Sequence, residues 1–278
     1  MQPIVQDGAG VTDAARSLRL GLLRCDDPVP ELRSICGTYA DMFARLIRHV
    51  DPSVQLDTFS LPDGQWPGDL DAYDGWMTTG TRASVYDDVP WIRDFADFVR
   101  RLHAERRKMF GVCFGHQMIA HALGGVVARA AHGWTVGAHV WSIREQRRWM
   151  DPPAAQIRLM HSHQDQVLTL PPGGAVLAGS DRCPMAMLAV GEHLVGIQGH
   201  PEFQPEFVGP LYESRIELLG AEAVAQAQAS LEAPCSQELV ARWMLRFFAT
   251  RPNGDTRPHA TAGYRSDVVG IQAGRAAS

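Results

Sequence analysis

The chain has 278 residues, of which 45% are hydrophobic and 21% charged, and its formal net charge at pH 7 is −5. A chain of this length and composition can bury one substantial core, and a single α/β domain is the simplest interpretation. No run of basic residues forms the kind of surface that binds DNA, RNA or an anionic membrane, so we expect neither a nucleic acid nor a membrane as a partner.

The first half of the chain alternates predicted strands and helices. An apolar segment at 18–25 predicts a strand, and a helix follows the Asp-Asp-Pro break after it. Segments 54–61 and 71–80 predict two more strands, and Pro90 opens a further amphipathic helix. Strands and helices that alternate with short connections favour a parallel sheet. The buried face of the first predicted helix carries Leu32, Ile35, Tyr39, Met42, Phe43, Leu46 and Ile47.

Cys113 lies in the most informative segment of the sequence, KMFGVCFGHQ at 108–117. An apolar run that ends between two glycines predicts a buried strand that turns sharply into a helix. Such a turn lifts its central side chain out of the sheet and needs small neighbours, here Gly111 and Gly115. The positive end of the following helix dipole favours a thiolate. The pattern therefore predicts a nucleophilic cysteine, whereas a buried core cysteine would need none of these features.

The second half of the chain becomes β-rich and then helical. Helices are predicted at 205–219 and 221–233, and Ser236 is predicted to cap a last one. From Arg251 onward the composition shifts to Pro, Gly, Thr, Ala and Arg without apolar periodicity, which predicts a disordered tail. The predicted strands are 126–129, 137–143, 157–160, 175–180, 185–190 and 193–197.

His200 and Glu202 are the candidates for the base that a nucleophilic cysteine requires and for the group that orients the base. Pro201 pushes His200 towards extended geometry, in which residues two apart face the same side. The carboxylate could then fix the imidazole while its other nitrogen serves the cysteine. The alternative is a surface histidine and glutamate beside a turn proline.

Together the segments G-V-C-F-G-H-Q and G-H-P-E resemble the class I, Cys-His-Glu triad, glutamine amidotransferases. The resemblance is strongest to the glutaminase domain of GMP synthetases and its stand-alone relatives, which include small γ-glutamyl peptidases, and it runs from about residue 18 to 248. It implies a three-layer, flavodoxin-like α/β fold with a mostly parallel central sheet and helices on both faces. It also implies that Cys113 is the nucleophile, His200 the general base and acid, and Glu202 the residue that orients His200.

The same resemblance implies an oxyanion hole made by backbone N–H groups. Phe114 would supply one N–H, and Gly80 or Thr81 the other. This chain departs from the family pattern here, because Thr81-Arg82 stand where GMP synthetase domains show Gly-Pro. The departure places Arg82 near the pocket mouth, where it would either bind a substrate carboxylate or remain solvated.

Substrate contacts are predicted from two further segments. Gln117 follows Cys113 by one helical turn, and the family's equivalent glutamine contacts the amino-acid end of the substrate. The segment 160–167 resembles the family's M-S-H-G-D-x-V, which implies contacts from Ser162, His163 and Gln164, although Gln164 replaces the usual glycine. An HxH pair without a third ligand is weak evidence for a metal, so we predict no metal site.

The chemistry implied is acyl transfer through a γ-glutamyl thioester, with glutamine as the default substrate and no cofactor. The chain has neither a GxxxxGK[ST] loop nor an SGGxDS run, so it cannot by itself activate an ammonia acceptor with ATP. Three hypotheses follow: a glutaminase-type hydrolase, with or without a separate ammonia-accepting synthetase or transferase; a γ-glutamyl peptidase or transferase for larger conjugates; and a non-catalytic partner subunit.

The domain organisation predicted from these features is a flexible leader at 1–16, the amidotransferase-like domain at 17–250 and the tail at 251–278. The five cysteines are odd in number and lack CxxC spacing, which fits a reducing compartment. The first residues lack a basic start followed by an apolar core and are not typical of a secretory signal. We therefore expect a cytoplasmic location.

Overall fold

A nine-stranded sheet forms the centre of the protein, and a separate two-stranded ribbon lies beside it. The computed structural model describes residues 17–250, so the predicted leader at 1–16 and tail at 251–278 lie outside the described residues. The strands are β1 (Arg19–Arg24), β2 (Gln55–Ser60), β3 (Gly75–Thr78), β4 (Met109–Val112), β5 (Val126–Arg129), β6 (Thr135–Ile143), β7 (Gln156–His163), β8 (Asp165–Thr169), β9 (Gly174–Gly179), β10 (Met187–Val190) and β11 (Leu194–Ile197).

The order of strands in the large sheet is β2-β1-β3-β4-β11-β10-β9-β6-β7, and β5 pairs with β8 in the ribbon. The first five strands are parallel to one another, and the remaining pairs are antiparallel. The parallel half has the 2-1-3-4-5 order of the flavodoxin-like folds, in which ligands bind beyond the carboxyl ends of the strands. The fold predicted from the sequence is confirmed.

Helices cover both faces of this sheet. Hydrophobic side chains of β1, β3 and β4 alternate between the two faces, so Leu22 and Phe110 join a core with α2 and α8, while Leu23 and Met109 join a core with α3 and α4. Among the described residues, no helix is long and apolar enough to cross a membrane. The helices are α1 (Pro30–Cys36), α2 (Tyr39–Val50), α3 (Pro90–Ala104), α4 (Phe114–Ala122), α5 (Pro205–Glu213), α6 (Ile216–Leu219), α7 (Ala221–Ala229) and α8 (Gln237–Ala249), with a 3₁₀ turn at Ser230–Glu232.

The single helix predicted after Pro30 is wrong, because the chain forms α1 and α2 there. Gly37 ends α1 with a φ of 79°, and Thr38 starts α2 with a capping box. In that box the Asp41 N–H donates to Thr38 Oγ1 at 3.1 Å, and the Thr38 N–H donates to Asp41 Oδ2 at 2.8 Å. The break resets the helical phase, so Ile35, which the single helix would bury, is 49% exposed.

Other element boundaries also differ from the predictions. The predicted helix 205–219 divides into α5 and α6, the predicted helix 221–233 ends at Ala229, and β8 was not predicted. Ser236 does precede α8, but its hydroxyl accepts a hydrogen bond from the Arg158 N–H at 3.0 Å and does not cap the helix. These differences depend on tertiary contacts with β7 and on loop geometry, neither of which local periodicity reports.

Candidate active site

Cys113 lies at the turn between β4 and α4, where the central parallel strands end. Its backbone has φ 50° and ψ −97°, a left-handed conformation that strains a residue with a side chain by about 1–3 kcal/mol. The helix begins at the next residue, Phe114, so its free N–H groups point towards the turn. The predicted strand-turn-helix around the cysteine is confirmed, and the strain is the kind that a functional site retains.

The two glycines beside Cys113 are required by close contacts. A Cβ added to Gly111 would lie 2.4 Å from the carbonyl carbon of Gly115, and one added to Gly115 would lie 2.0 Å from Thr78 Oγ1. Thr78 cannot move aside without losing the hydrogen bond that its Oγ1 accepts from the Val112 N–H at 3.0 Å. The turn therefore has its shape because α4 packs directly against β3 and β4.

β11 brings His200 to the same edge of the sheet. It pairs with β4 in parallel, with Ile197 opposite Val112, and the Cys113 N–H donates to the Ile197 carbonyl at 2.8 Å. The chain bends at Gln198 and Gly199, and the His200 N–H then donates to the Met160 carbonyl at 3.0 Å in an isolated β-bridge. Pro201 and Glu202 form a turn, so the extended backbone expected from the sequence is present at His200 but does not continue to Glu202. This pairing places the two distant sequence motifs side by side.

The His200 imidazole is held on two sides. Its Nδ1–H donates to Glu202 Oε1 at 2.8 Å, and its ring stacks on Phe203 with 3.8 Å between the ring centroids. His200 and Glu202 are both buried. Burial alone would lower the pKa of His200, but the negative charges of Glu202 and Cys113 outweigh it and raise that pKa. The arrangement favours a protonated, positively charged His200 ring beside the Cys113 sulfur.

Gly80 lies against the side chains of Cys113 and His200. An ideal Cβ built on it would be 3.0 Å from His200 Cε1 and 3.6 Å from Cys113 Cβ. Within residues 17–250, the N–H groups of Gly80, Thr81 and Phe114 donate to no backbone or side-chain acceptor. The Phe114 ring packs in the core, stacked on Phe95 with centroids 6.1 Å apart, so only its N–H could face a ligand. The predicted oxyanion donors are therefore free to bind.

A cavity of about 200 Å³ opens over Cys113. Two of the predicted site residues do not line this cavity: Glu202 lies behind His200, and the Phe114 side chain packs in the core. The other predicted residues line the cavity together. These are Gly80, Thr81, Arg82, Cys113, Gln117, Ser162, His163, Gln164 and His200. The lining residues that sequence analysis missed are Tyr39, Ala83, Ser84, Arg129, Trp134, Asp165, Phe203, Leu211 and Arg215.

Gln198 is a further residue that sequence analysis missed, and it is fully buried. Its Nε2 donates to Cys113 Sγ at 3.6 Å, and its Oε1 accepts from Gln117 Nε2 at 3.2 Å. Gln117 Nε2 also donates to the Asp165 carbonyl at 2.8 Å, which fixes the orientation of both amides. The rule used to link His200 and Glu202 in the sequence, that residues two apart face the same side of an extended chain, would also have indicated Gln198.

Replacing Gln198 with leucine should lower the rate at which iodoacetamide alkylates Cys113 by roughly tenfold, because the sulfur loses a hydrogen bond that stabilises its negative charge. Mass spectrometry of the intact protein measures this rate. Gln166→Leu is the matched control, since Gln166 is a buried glutamine whose Nε2 donates to the Arg182 carbonyl. Equal alkylation rates in the two variants would contradict this role for Gln198.

Arg82 lies in the cavity wall, but its guanidinium is already bound. Nε and Nη2 each donate to the Asp26 carboxylate at 3.0 Å, and the Arg82 backbone N–H adds a third bond at 3.1 Å. Burial would raise the pKa of Asp26, but these bonds outweigh it and lower that pKa. The two parallel N–H groups of Arg82 that could bind a substrate carboxylate are therefore bound to Asp26. Contact between Arg82 and a substrate stays a prediction.

Ser162 and His163 end β7, and Gln164 follows it before β8. All three line the cavity, and their contact with a substrate stays a prediction. Burial lowers the pKa of His163 to about 3, so its ring is neutral, and its Nε2 lies 3.2 Å from His161 Nδ1. In the part of the chain that the structure describes, no group of three or more His, Cys, Asp or Glu side chains is placed to hold a metal. The two histidines form a hydrogen-bonded pair.

Arg215 follows α5 and reaches back over β7. Its Nη1 donates to Ser162 Oγ at 2.7 Å, and its guanidinium carbon lies 5.6 Å from the centre of the Trp134 ring. Burial lowers the pKa of Arg215. No pattern in the sequence distinguishes this arginine from those on exposed helices.

Comparison with known proteins agrees with this geometry. The family model for class-I glutamine amidotransferase matches residues 37–215. Gamma-glutamyl peptidase 3 of Arabidopsis thaliana is 29% identical over 233 residues, which cover 80% of this chain and 92% of the relative. One component of the glutamine-hydrolysing GMP synthase of Saccharolobus solfataricus is 26% identical, with 60% of this chain and 85% of that component covered.

A solved structure with a similar fold is a glutamine amidotransferase from Thermotoga maritima. Its TM-score is 0.66 at 18% identity, and the match covers 84% of this chain and 96% of that one. At this identity the likeness concerns the fold alone. It extends the agreement beyond the matched family region to most of the described chain.

Proposed function

Because this chain belongs to the class-I glutamine amidotransferase family, we propose that it hydrolyses a γ-glutamyl amide bond through a γ-glutamyl thioester on Cys113. The observation that carries the proposal is the constellation at one cavity: a strained cysteine, a histidine beside it, and a buried carboxylate 2.8 Å from that histidine. The N–H groups of Gly80 and Phe114 support it, since neither donates to an acceptor within the described residues, Gly80 lies against Cys113 and His200, and Phe114 directly follows the cysteine.

The reaction follows from the charges in the site. The Cys113 thiolate attacks the γ-carbonyl carbon, a C–S bond forms, and the backbone N–H groups stabilise the resulting oxyanion. The His200 imidazolium gives its proton to the leaving nitrogen as the C–N bond breaks, which leaves a thioester and a neutral imidazole. His200 then takes a proton from water, the hydroxide attacks the thioester, and the C–S bond breaks to release the γ-carboxylic acid and the thiolate. The acid passes its proton to the released amine or to water and becomes the γ-carboxylate.

Glutamine is the simplest substrate for this chemistry, and γ-glutamyl peptides are the alternative with a larger leaving group. The similarity to a plant γ-glutamyl peptidase over most of both chains favours the peptides. The cavity supports them as well, because its wall extends from Cys113 to Trp134 and Arg215 and so offers contacts to parts of a substrate away from the reacting carbonyl.

The test is glutamate release by the purified protein, without ATP, from L-glutamine and from a panel of γ-glutamyl dipeptides and γ-glutamyl amines. We expect release from at least one of these compounds, with a higher kcat/KM for a dipeptide than for glutamine. No release from any compound, even after addition of a cell extract, would contradict the proposal.

A second candidate function is an ammonia-supplying subunit that works with a separate synthetase or transferase. The observation that favours it is the match to one component of a glutamine-hydrolysing GMP synthase, of which 85% is covered. In the same assay such a subunit would cleave glutamine alone, and only or much faster once the extract is present. Rapid turnover without any partner would exclude both this function and a purely non-catalytic role.

A further inference from the structure

The cavity over Cys113 carries an excess of positive charge. Apart from Cys113 and His200, its charged lining residues are Arg82, Arg129, Arg215 and Asp165. His163 and Tyr39 also line it and are neutral, because burial lowers the pKa of the histidine and raises that of the tyrosine. The charge of Arg82 is compensated by Asp26. Asp165 is the one acidic lining residue, and its carboxylate accepts a hydrogen bond from Ser84 Oγ at 2.5 Å. Two arginines therefore face the cavity without a carboxylate partner among the described residues.

Arg215 is the better placed of these two. It is partly buried, whereas Arg129 is exposed on the outer ribbon. The Ser162 hydroxyl and the Trp134 ring hold its guanidinium in the cavity wall without neutralising it. Burial is the largest influence on the pKa of Arg215, and the ionisable groups that interact with its guanidinium include Tyr39, Arg82 and Cys113. A partly buried cation held by neutral groups is an unfavourable arrangement unless a ligand completes it.

We infer that Arg215 recognises a carboxylate of the substrate, an inference that rests on the proposed hydrolysis of γ-glutamyl amides. The planar fork of arginine pairs with a carboxylate through two parallel hydrogen bonds, and a ring under the guanidinium leaves that edge free. Arg215 uses only Nη1 to bind the Ser162 hydroxyl, so the other N–H groups of its guanidinium remain available for a ligand. Arg215 is thus a second arginine of the same cavity that could bind a substrate carboxylate, the role that the sequence suggested for Arg82.

A γ-glutamyl peptide offers two carboxylates to this residue. One is the α-carboxylate of the γ-glutamyl group, and the other ends the leaving peptide. Three substrates separate them: γ-glutamylglycine, which has both; γ-glutamylglycinamide, which lacks the carboxylate of the leaving group; and the α-amide of γ-glutamylglycine, which lacks the α-carboxylate. Each differs from the first by one charge and almost no volume.

The experiment compares kcat/KM for the three substrates in the wild type, Arg215→Gln and Arg215→Lys, with the inhibition constant measured for any substrate that is not cleaved. We expect Arg215→Gln to lower kcat/KM for γ-glutamylglycine by about tenfold or more, because this is the effect of losing one charge-assisted hydrogen bond. This penalty should disappear for whichever substrate lacks the recognised carboxylate, which identifies its source. Arg215→Lys should recover part of the loss, since it keeps the charge without the fork.

Arg82→Gln is the matched control, because Arg82 lies in the same cavity with its fork bound to Asp26. Its effect should be the same on all three substrates. An equal penalty across the three substrates in Arg215→Gln would overturn the inference and leave the proposed hydrolysis intact, since it would mean that Arg215 only shapes the cavity. If the wild type cleaves and binds none of the γ-glutamyl compounds, the proposed function and the inference both fail.

Discussion

Cys113→Ala should lower kcat/KM for every γ-glutamyl substrate by about ten-thousandfold or more, because it removes the sulfur on which the proposed covalent intermediate forms. The substitution removes one sulfur atom and keeps a side chain that tolerates the φ of 50° no better than cysteine does. The fold should therefore persist, with a melting temperature within a few degrees of the wild type. Glutamate release and thermal unfolding monitored by circular dichroism measure the two expectations.

The matched control for this variant is Cys183→Ala. Cys183 is also a buried free cysteine, but it does not line the cavity, and burial raises the pKa of its thiol to about 12. Its loss should leave glutamate release unchanged. Undiminished release by Cys113→Ala would remove the thioester mechanism, whereas loss of activity in both variants would point to a general effect of cysteine removal on the fold.

Glu202→Gln should lower kcat by roughly a thousand- to ten-thousandfold while leaving the fold in place, since the amide oxygen can still accept from His200 Nδ1–H. It should also change the pH dependence. Burial lowers the pKa of His200, and the charge of Glu202 is the largest influence in the opposite direction. Without that charge the pKa falls, so the imidazolium is lost at a lower pH.

The measurement is the rate of Cys113 alkylation as a function of pH. In the wild type His200 stays positively charged, and paired with Glu202, at pH values below its raised pKa. It loses this charge as the pH rises through that pKa. The accompanying change in the alkylation rate of Cys113 therefore lies in the alkaline range. In Glu202→Gln this alkaline change should move down by about one pH unit or more. Glu206→Gln is the control, because it removes the same charge from an exposed position in α5. Superimposable pH profiles for Glu202→Gln and the wild type would contradict the electrostatic role of Glu202.

Most of the fold could be predicted from the sequence because its core strands are short, apolar and bounded by turn residues. β1 and β11 were predicted within a residue of their observed ends, and the strand predicted before Cys113 is β4. The errors fall where a local signal was ambiguous. The helix that divides at Gly37 has an apolar period that continues across the break, and only the capping box of Thr38 and Asp41 shows where the phase resets.

The residues of the candidate site also fall into those that the sequence predicted and those that it did not. Residues next to a distinctive motif, such as Gln117 beside Cys113, were predicted from the sequence and its family resemblance, and they do line one cavity. Arg215 was missed because its role depends on Ser162 and Trp134, which are distant from it in sequence. Arg82, expected near the pocket mouth, lines the cavity. The carboxylate that binds it, Asp26, could not be inferred from either neighbouring segment.

What the sequence by itself determined is the chemistry available at single positions. Glycines beside Cys113 require a tight turn, and a proline after His200 requires extended backbone; both are local steric rules that act over a few residues. What only the tertiary structure decided is which charges meet. The pairing of β4 with β11 brings Cys113, His200 and Gln198 together, and the packing of loops over the sheet pairs Arg82 with Asp26 and leaves Arg215 facing the cavity. The physical reason is that electrostatic interactions depend on distance in space, which the fold sets and the order of residues along the chain does not.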